Sequence, residues 1–297
     1  MLGHRARLHA ISPASYPGRH FGIKVAMPKQ STANDQEEMS VETRRLTAPE
    51  IFDAAVDSAR EELGRSSRTL AFSGLAGGLT MGLTGLSVAA VRAILGGGTW
   101  EELASFLVYP IGFIAVIIGR SQLFTENTLY PVVLILDERK QFAKHLSHTL
   151  RLWATVFAAN VLGALCFAAL AIKTGALSAE ISSQLVKLGV ESVSGTGAHI
   201  FWSGVIGGWL IALVAWMVTA SQWTIGQLAM IWLLTFIVGI GKLSHCIATS
   251  GEILSAVLAG STTLTTYLHW LLLATTGNIA GGVLMVSVLN YGQVREH

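Results

Sequence analysis

The hydrophobic positions of the chain fall into six blocks that are separated by shorter polar stretches. Each block supplies about 20 apolar residues, the length that a helix needs to cross the hydrocarbon core of a membrane. The pattern therefore predicts an all-α membrane protein with six transmembrane helices within residues 67–292. The blocks lie at 69–95, 103–136, 151–172, 199–220, 229–260 and 268–290.

The second and fifth blocks are longer than a crossing needs, and polar residues interrupt each of them. The second contains RSQLFTENT at 120–128, and the fifth contains KLSHCIATSGE at 242–252. Lipid cannot satisfy bare backbone amides, so non-helical chain at this depth has to be buried in protein or line a wet cavity. We therefore expect the second and fifth helices to be broken, which is typical of a transport site.

The two halves of the chain carry matching motifs in the same order. The first block has SGLAGGL at 73–79, and the fourth has SGVIGGW at 203–209. An Asn followed by Gly three residues later occurs at Asn160 in the third block and at Asn278 in the sixth. Because each half has three crossings, the two copies enter the membrane from opposite sides. The sequence thus predicts two inverted three-helix repeats.

The segments outside these blocks are polar or amphipathic. Residues 1–46 are predicted to form a disordered cytoplasmic tail, with Met27 as a second candidate start, and 293–297 a cytoplasmic C-terminus. Residues 47–66 are predicted to form an amphipathic helix at the cytoplasmic interface, since Thr47 and Glu50 have capping-box spacing. The apolar face of that helix is expected to carry Ile51, Ala54, Ala55, Ala59 and Leu63.

Composition and charge support a membrane location and set its orientation. Only 13% of the residues are charged, against about 25% in a typical soluble domain. The net charge of +2 gives no general case for nucleic-acid binding. Basic residues concentrate in the tail, at 137–151 and at Arg295, all on one side of an even number of crossings. The positive-inside rule makes that side cytoplasmic, so we expect a multi-pass protein of the cell (inner) membrane with both termini in the cytoplasm.

Cys166 and Cys246 both lie in apolar blocks, where inert buried thiols are expected rather than a disulfide. No cofactor and no metal site is predicted.

The break in the fifth block contains His245, with Lys242 three residues before it. A His at membrane depth is a functional candidate, because it is costly to charge there and its pKa permits proton exchange near neutral pH. The structural alternative is a neutral His that hydrogen-bonds backbone carbonyls. A half-helix that begins after the break would add partial positive charge for an anion.

The break in the second block contains Thr125, which is expected to hydrogen-bond a solute or the His245 imidazole. Leu123 and Phe124 are candidates for an apolar constriction. Glu126 is expected to pair with Arg120 or Lys242, or else to lie at the cytoplasmic mouth. Asn160 and Asn278 are expected to support the pathway by hydrogen-bonding the broken loops.

With these motifs, the sequence resembles the formate/nitrite transporter family over about residues 45–292. Leu123-Phe124-Thr125 is similar to the family's loop in the second span, and His245 to Ala248 to its central His motif. Gly277 to Gly282, GNIAGG, is similar to its last span. The sequence FTENT at 124–128 resembles that of the YfdC-like branch of the family.

The resemblance implies an aquaporin-like fold assembled as a homopentamer with one pore per protomer. It implies passage of small monovalent anions, formate and nitrite in the family, or of their neutral acids. It also implies that His245 and Thr125 form a central site between two apolar constrictions, with proton linkage through the His as an expectation.

Four positions depart from the family's pattern. Ser244 stands where the family has a Glu before the central His, and Thr249 where it has an Asn. Gly208 takes the place of a pore-facing Asn in the fourth span, and Val238 that of an aromatic residue about seven positions before the His. Because these positions are expected to line the pore, the fold carries over better than the substrate.

Two other functions fit the same fold: a neutral small-solute pore of the aquaporin type, and a membrane scaffold that does not transport. An intramembrane enzyme is disfavoured, since the chain has neither Gly-x-Ser-x-Gly nor His-Glu-x-x-His.

Overall fold

The structure is a computed structural model that describes residues 45–96 and 98–295. The predicted tail, residues 1–46, lies outside this range except for its last two residues. The described chain is helical. In order along the chain, the α-helices are α1 (Ala48–Gly64), α2 (Ser67–Leu95), α3 (Thr99–Phe106), α4 (Ile111–Ile118), α5 (Tyr130–Asp137), α6 (Phe142–Lys173), α7 (Ala179–Ser192), α8 (Gly197–Ala220), α9 (Thr224–Ile240), α10 (Ala248–Leu258), α11 (Leu264–Gly282) and α12 (Leu289–Val294).

Five helical segments of the described chain are long and apolar enough to cross a membrane, which confirms the prediction of an all-α membrane protein. The predicted fifth block is divided between two shorter apolar helices, α9 and α10. The five long segments are Ser67–Leu95, Thr99–Ile118, Arg139–Lys173, Gly197–Ala220 and Leu264–Val294.

Two helix pairs form the centre of the structure: α2 packs along α6, and α8 packs along α11. Glycines allow the backbones to touch. A Cβ atom added at Gly78 would overlap the backbone oxygen of Asn160, and one added at Gly208 would overlap that of Asn278. Small residues give membrane helices close contact of this kind. The glycines of the repeated motif therefore act as packing surfaces.

Helix α1 packs on other helices of the protein through its apolar face. The expected capping box is present, and in it Glu50 accepts a hydrogen bond from the Thr47 N–H at 2.8 Å. Phe52 and Val56 are buried, whereas Ile51 and Ala54 of the predicted face are only half-buried. The observed stripe runs through Phe52, Ala55, Val56, Ala59 and Leu63 and contacts α5, α6, α8 and α12.

Helix α7 lies in a region that the sequence pattern assigns to a loop. Its apolar positions are few, and it buries only Leu185, Leu188 and Gly189. These pack against α10 and α2. A short helix whose order comes from such contacts is hard to predict from periodicity alone.

Candidate functional site

The chain leaves helical geometry at the same point in both halves. After α4, Arg120 has a φ of 57°, and after α9, Lys242 has a φ of 49°. In each case the next residue closes the turn: the Ser121 N–H donates to the Val116 carbonyl at 3.0 Å, and the Leu243 N–H donates to that of Val238 at 3.0 Å. A non-glycine residue in the left-handed region costs energy, so the surrounding contacts have to hold these loops in place.

Asn160 holds the first loop. Its carboxamide oxygen accepts a hydrogen bond from the Phe124 N–H at 2.9 Å. Its amide group donates to the carbonyls of Gly74 at 2.7 Å and Gln122 at 2.9 Å. The Asn side chain therefore satisfies the Phe124 N–H and the Gln122 carbonyl, which the interruption of the helix has left without partners, and its bond to Gly74 ties the loop to α2.

Asn278 holds the second loop by the same pattern. Its carboxamide oxygen accepts from the Cys246 N–H at 2.9 Å. Its amide group donates to the carbonyls of Gly204 at 2.8 Å and Ser244 at 2.9 Å. The loop-binding role expected of both Asn residues is thus present in the geometry.

The two loops meet at Thr125 and His245. The Thr125 hydroxyl lies 2.8 Å from Nε2 of His245, and both side chains are fully buried. The Ala248 N–H donates to Nδ1 of the same imidazole at 2.9 Å. Because Nδ1 accepts, a neutral imidazole carries its proton on Nε2 and donates it to Thr125. The edge of the Phe113 ring packs against the imidazole at a centroid distance of 5.1 Å.

A cavity of about 560 Å³ lies on the α1 side of this contact. It reaches Leu123, Glu126 and Asn127, which flank Thr125 in the first loop. The other lining residues are Ser58, Glu61, Glu62, Arg65, Ile117, Arg120, Ser121, Gln122, Tyr130, Val218 and Gln227.

A second cavity, of about 310 Å³, reaches Ser244 and Thr249, which flank His245 in the second loop. Arg65, just before α2, lines the first cavity, and Arg92, near the C-terminal end of α2, lines the second. Helix α2 has 29 residues, a length of about 43 Å. The cavities therefore open toward opposite ends of α2. Thr125 and His245 line neither cavity and lie between the residues that do. The main lining residues are Arg92, Phe106, Tyr109, Glu191, His199, Val238, Lys242, Glu252 and Trp270.

Leu123 and Phe124 do not share one role. Leu123 is buried and lines the larger cavity. The Phe124 ring packs edge-on against Trp153 and Phe157 at centroid distances of 5.9 and 5.0 Å, and it lines neither cavity. Of these two residues, only Leu123 lines a cavity, the larger one.

The ion pairs expected for Glu126 are not formed. Lys242 lies in the smaller cavity and pairs with Glu102 at 2.7 Å. Arg120 and Glu126 both line the larger cavity, yet neither makes an ion pair within the described residues. The pairing of Glu126 with Arg120 or Lys242 is thus absent from the described contacts, and its alternative position at the cytoplasmic mouth stays a prediction.

Gly208 packs against another helix, whereas Val238 lines a cavity. Gly208 faces α11, because any side chain there would meet the backbone of Asn278. It is consequently not a place from which an Asn side chain could point into a pore. Val238 is buried and lines the smaller cavity. Tyr109 stands beside it: a Cβ atom on the neighbouring Gly239 would lie 2.7 Å from the Tyr109 ring.

A chain of polar side chains joins α1 to the first loop, a connection that the hydrophobic pattern does not predict. The Gln122 amide donates to Glu62 at 2.8 Å, and its oxygen accepts from Asn127 at 2.8 Å. Glu62 also pairs with Arg65 at 3.0 Å. The polar character of Gln122 and Asn127 within an apolar block was the available signal.

An ionic network holds α1 to Glu138, which follows α5 outside the membrane-spanning segments, and to the first turns of α6. Arg60 pairs with Glu138 at 2.7 Å, and His145 lies 2.9 Å from the same carboxylate. The hydrogen bond from Arg60, followed by that from His145, holds the pKa of Glu138 below its usual range. Among the described residues, no group of three or more His, Cys, Asp or Glu side chains could hold a metal ion.

The profile of the formate/nitrite transporter family matches residues 49–292. The chain belongs to the formate/nitrite transporter family. The inner membrane protein YfdC of Escherichia coli K12 is 31% identical over 243 residues, covering 80% of this chain and 75% of its own. A probable formate transporter of Methanothermobacter thermautotrophicus is 31% identical over 200 residues, covering 61% and 71%.

Two solved structures share the fold of this formate/nitrite transporter family member. One, described as an FNT family ion channel, has a TM-score of 0.71 at 20% identity and covers 83% of this chain and 98% of its own. The other, a pentameric formate channel with formate bound, has a TM-score of 0.60 at 17% identity and covers 76% and 97%. The protein is thus a membrane-embedded channel or transporter and not an enzyme.

Proposed function

We propose that this family member passes small monovalent anions such as formate and nitrite, or their neutral acids, across the membrane. The path runs from one cavity to the other past Thr125 and His245. The observation that carries the proposal is the buried hydrogen bond between these two residues, which joins the two loops between the cavities. Family membership and the named activity of the Methanothermobacter relative support the substrate class.

The finer layout that we propose has six crossings arranged as two inverted three-helix repeats in an aquaporin-like fold. The second crossing would consist of α3 to α5 and the fifth of α9 and α10, each broken at its loop. The matched loop geometry at Arg120 and Lys242, and the matched Asn160 and Asn278 contacts, support this layout.

We further propose a homopentamer in the cell (inner) membrane, with one pore in each protomer. The fold neighbour described as a pentameric formate channel and the relative named as an inner membrane protein support this assembly and location. Large apolar side chains exposed on α2 and α8 provide surface for lipid or for neighbouring protomers. These include Phe72, Leu79, Trp202, Ile206 and Trp209. The distribution of basic residues supports a cytoplasmic position for both termini and α1.

In the described arrangement neither cavity reaches Thr125 or His245, and the hydrogen bonds of His245 are those of a neutral imidazole. For His245 to become charged, Nδ1 would have to bind a proton and give up the Ala248 N–H. Proton linkage through His245 therefore requires the second loop to rearrange. The first N–H groups of α10 are also occupied, since Thr249 donates to the His245 carbonyl and Ser250 to that of Ile247. An anion at the centre would have to displace one of these bonds.

A neutral small-solute pore is the second candidate. It is favoured by the absence of an unpaired positive charge at Thr125 and His245, where the described contacts are all hydrogen bonds between neutral groups. A neutral solute with a hydroxyl group could exchange hydrogen bonds with this pair and pay no cost for carrying charge across the buried centre.

Flux measurements on proteoliposomes separate the candidates. Vesicles containing the purified protein are loaded with formate, nitrite or glycerol, and release is followed against empty vesicles. The proposal predicts release of formate and nitrite well above the empty control and little release of glycerol. Glycerol release without anion release would select the neutral-solute pore, and no release of any solute would contradict both.

A further inference from the structure

Each cavity contains one carboxylate that is sheltered from solvent and makes no ion pair with a described residue. In the smaller cavity this is Glu252, and in the larger it is Glu126. The other carboxylates that line the cavities are Glu61, which is exposed, and Glu62 and Glu191, which pair with Arg65 and Arg92. A carboxylate fixed by a cation is a poor proton donor, because the cation stabilises its charged form.

Glu252 occupies a niche made by two glycines of neighbouring helices. A Cβ atom at Gly85 of α2 would lie 2.6 Å from Cγ of Glu252, and one at Gly189 of α7 would overlap its backbone oxygen. The side chain is 7% exposed although it belongs to a residue type that is rarely buried without a partner. Glu252 lies on α10, seven residues after His245, and lines the smaller cavity, which reaches Ser244 and Thr249 on either side of His245.

Charged and polar side chains from the neighbouring helices face Glu252. Arg92 of α2 is held by Glu102 at 3.2 Å and by Glu191 of α7 at 3.5 Å, so its charge is already shared. Tyr109 lies across the cavity, and the Ser192 hydroxyl is a polar neighbour of the carboxyl group. Lys242 and His199 line the same cavity farther along.

Glu126 follows Thr125 directly and is half-buried in the wall of the larger cavity. Glu62 of α1, Arg120 of the same loop and Tyr130 of α5 face it. Arg120 is exposed and makes no ion pair within the described range. One unpaired acid thus stands on each side of the contact between Thr125 and His245.

The region between the two acids suits a neutral solute better than a bare anion. Leu123, Phe113 and Val238 are buried there, and desolvating an unpaired anion among apolar side chains is costly. His245 is arranged as a neutral imidazole that donates through Nε2, so it offers no positive charge without a rearrangement. A proton supplied in the cavity would remove the charge before the solute reaches the centre.

We propose that Glu252 and Glu126 are the proton-exchange groups of the pathway, one for each cavity; this rests on the proposed anion or acid transport. On the entry side, the O–H bond of the carboxylic acid breaks, and a new O–H bond forms on an oxygen of the anion. The glutamate remains as a carboxylate and regains a proton from cavity water. On the exit side, the second glutamate, in its carboxylate form, takes the proton from the neutral acid and releases the anion.

Formate flux into proteoliposomes as a function of pH tests the role of each acid. We expect Glu252→Gln and Glu126→Gln each to lower the flux by about tenfold to a hundredfold, the range of a lost acid–base group, and to flatten the pH profile. Glu61→Gln, an exposed carboxylate of the larger cavity, and Glu180→Gln, an exposed carboxylate of α7 that lines neither cavity, are controls and should keep the wild-type flux and profile. Gel filtration in detergent checks that each variant assembles.

Aspartate variants provide the second arm. Glu252→Asp and Glu126→Asp keep a titratable acid and should keep a pH-dependent flux at a reduced rate. Wild-type flux and profile in both Gln variants would overturn the inference while leaving the proposed transport function intact. A flux that does not depend on pH in assembled Asp variants would also overturn it. Such a result would mean that the flux depends on how the side chain fills its niche and not on its titratable carboxyl group. Absence of formate flux in the wild type and in both controls would overturn the transport function and the inference together.

Discussion

Asn160 and Asn278 hold the two non-helical loops by equivalent sets of three hydrogen bonds, one set in each half of the chain. Each side chain accepts from a loop N–H, that of Phe124 or Cys246, and donates to two carbonyls. Thr125 and His245 each lie next to one of these anchor points, Phe124 or Cys246, so their contact depends on both Asn residues being in place.

Replacement of either Asn by Leu should therefore prevent normal assembly. The change leaves two loop backbone groups without partners, the Phe124 N–H and Gln122 carbonyl or the Cys246 N–H and Ser244 carbonyl, at about 1–3 kcal/mol each. We expect Asn160→Leu and Asn278→Leu to lower the midpoint of thermal unfolding by similar amounts, measured in detergent. Asn290→Leu is a control on α12, where the side chain bonds a single helix carbonyl, that of Val286. A large loss of stability in only one of the two anchor variants would contradict their equivalence.

Removal of the Thr125 hydroxyl tests the central contact itself. In Thr125→Val the Nε2–H of His245 loses its acceptor while buried, which should cost about 1–3 kcal/mol and disturb the position of the imidazole. Thr125→Ser retains the hydroxyl and is expected to retain most of the stability and flux. Equal flux and stability in the Val and Ser variants would show that the hydrogen bond has no role.

Gly208 gives a test in which the resemblance and the structure disagree. The family pattern places an Asn at this position, but any side chain there meets the backbone of Asn278. We expect Gly208→Asn to separate α8 from α11 and abolish assembly. Gly292→Asn is the matched control, because a Cβ atom there has no neighbour within 4 Å. A well-assembled Gly208→Asn protein with altered solute selectivity would instead support a pore-facing position.

The network around Glu138 makes the attachment of α1 sensitive to acid. Its pKa is lowered by Arg60 and His145, so the stabilisation is present above the ordinary Glu pKa of about 4.3 and is lost as the pH falls through the lowered value. The protection of the α1 amides, measured by hydrogen exchange and corrected for the intrinsic pH dependence of the exchange rate, should therefore fall in that acid range and remain steady from there to neutral pH. In Glu138→Gln the acid step should disappear.

The interruptions and their Asn anchors could be predicted from the sequence, since polar residues inside apolar blocks need buried partners. The pairing of Thr125 with His245 followed from the same reasoning. Other features depend on contacts between distant segments. The Glu252 niche needs Gly85 and Gly189 from two other helices, and the orientation of Phe124 depends on aromatic residues of α6. No local pattern encodes such contacts. For this reason the sequence left open whether Glu126 pairs or lies at a mouth, and it did not show that Gly208 packs against the backbone of Asn278.

The most direct test of the account is formate flux into proteoliposomes at about pH 5 and about pH 7.5, on either side of the ordinary His pKa, with His245→Asn measured beside the wild type. We predict wild-type flux that rises at the lower pH, and a sharply reduced flux in an assembled His245→Asn protein. Flux that is unchanged by the substitution at both pH values would contradict a pathway past His245.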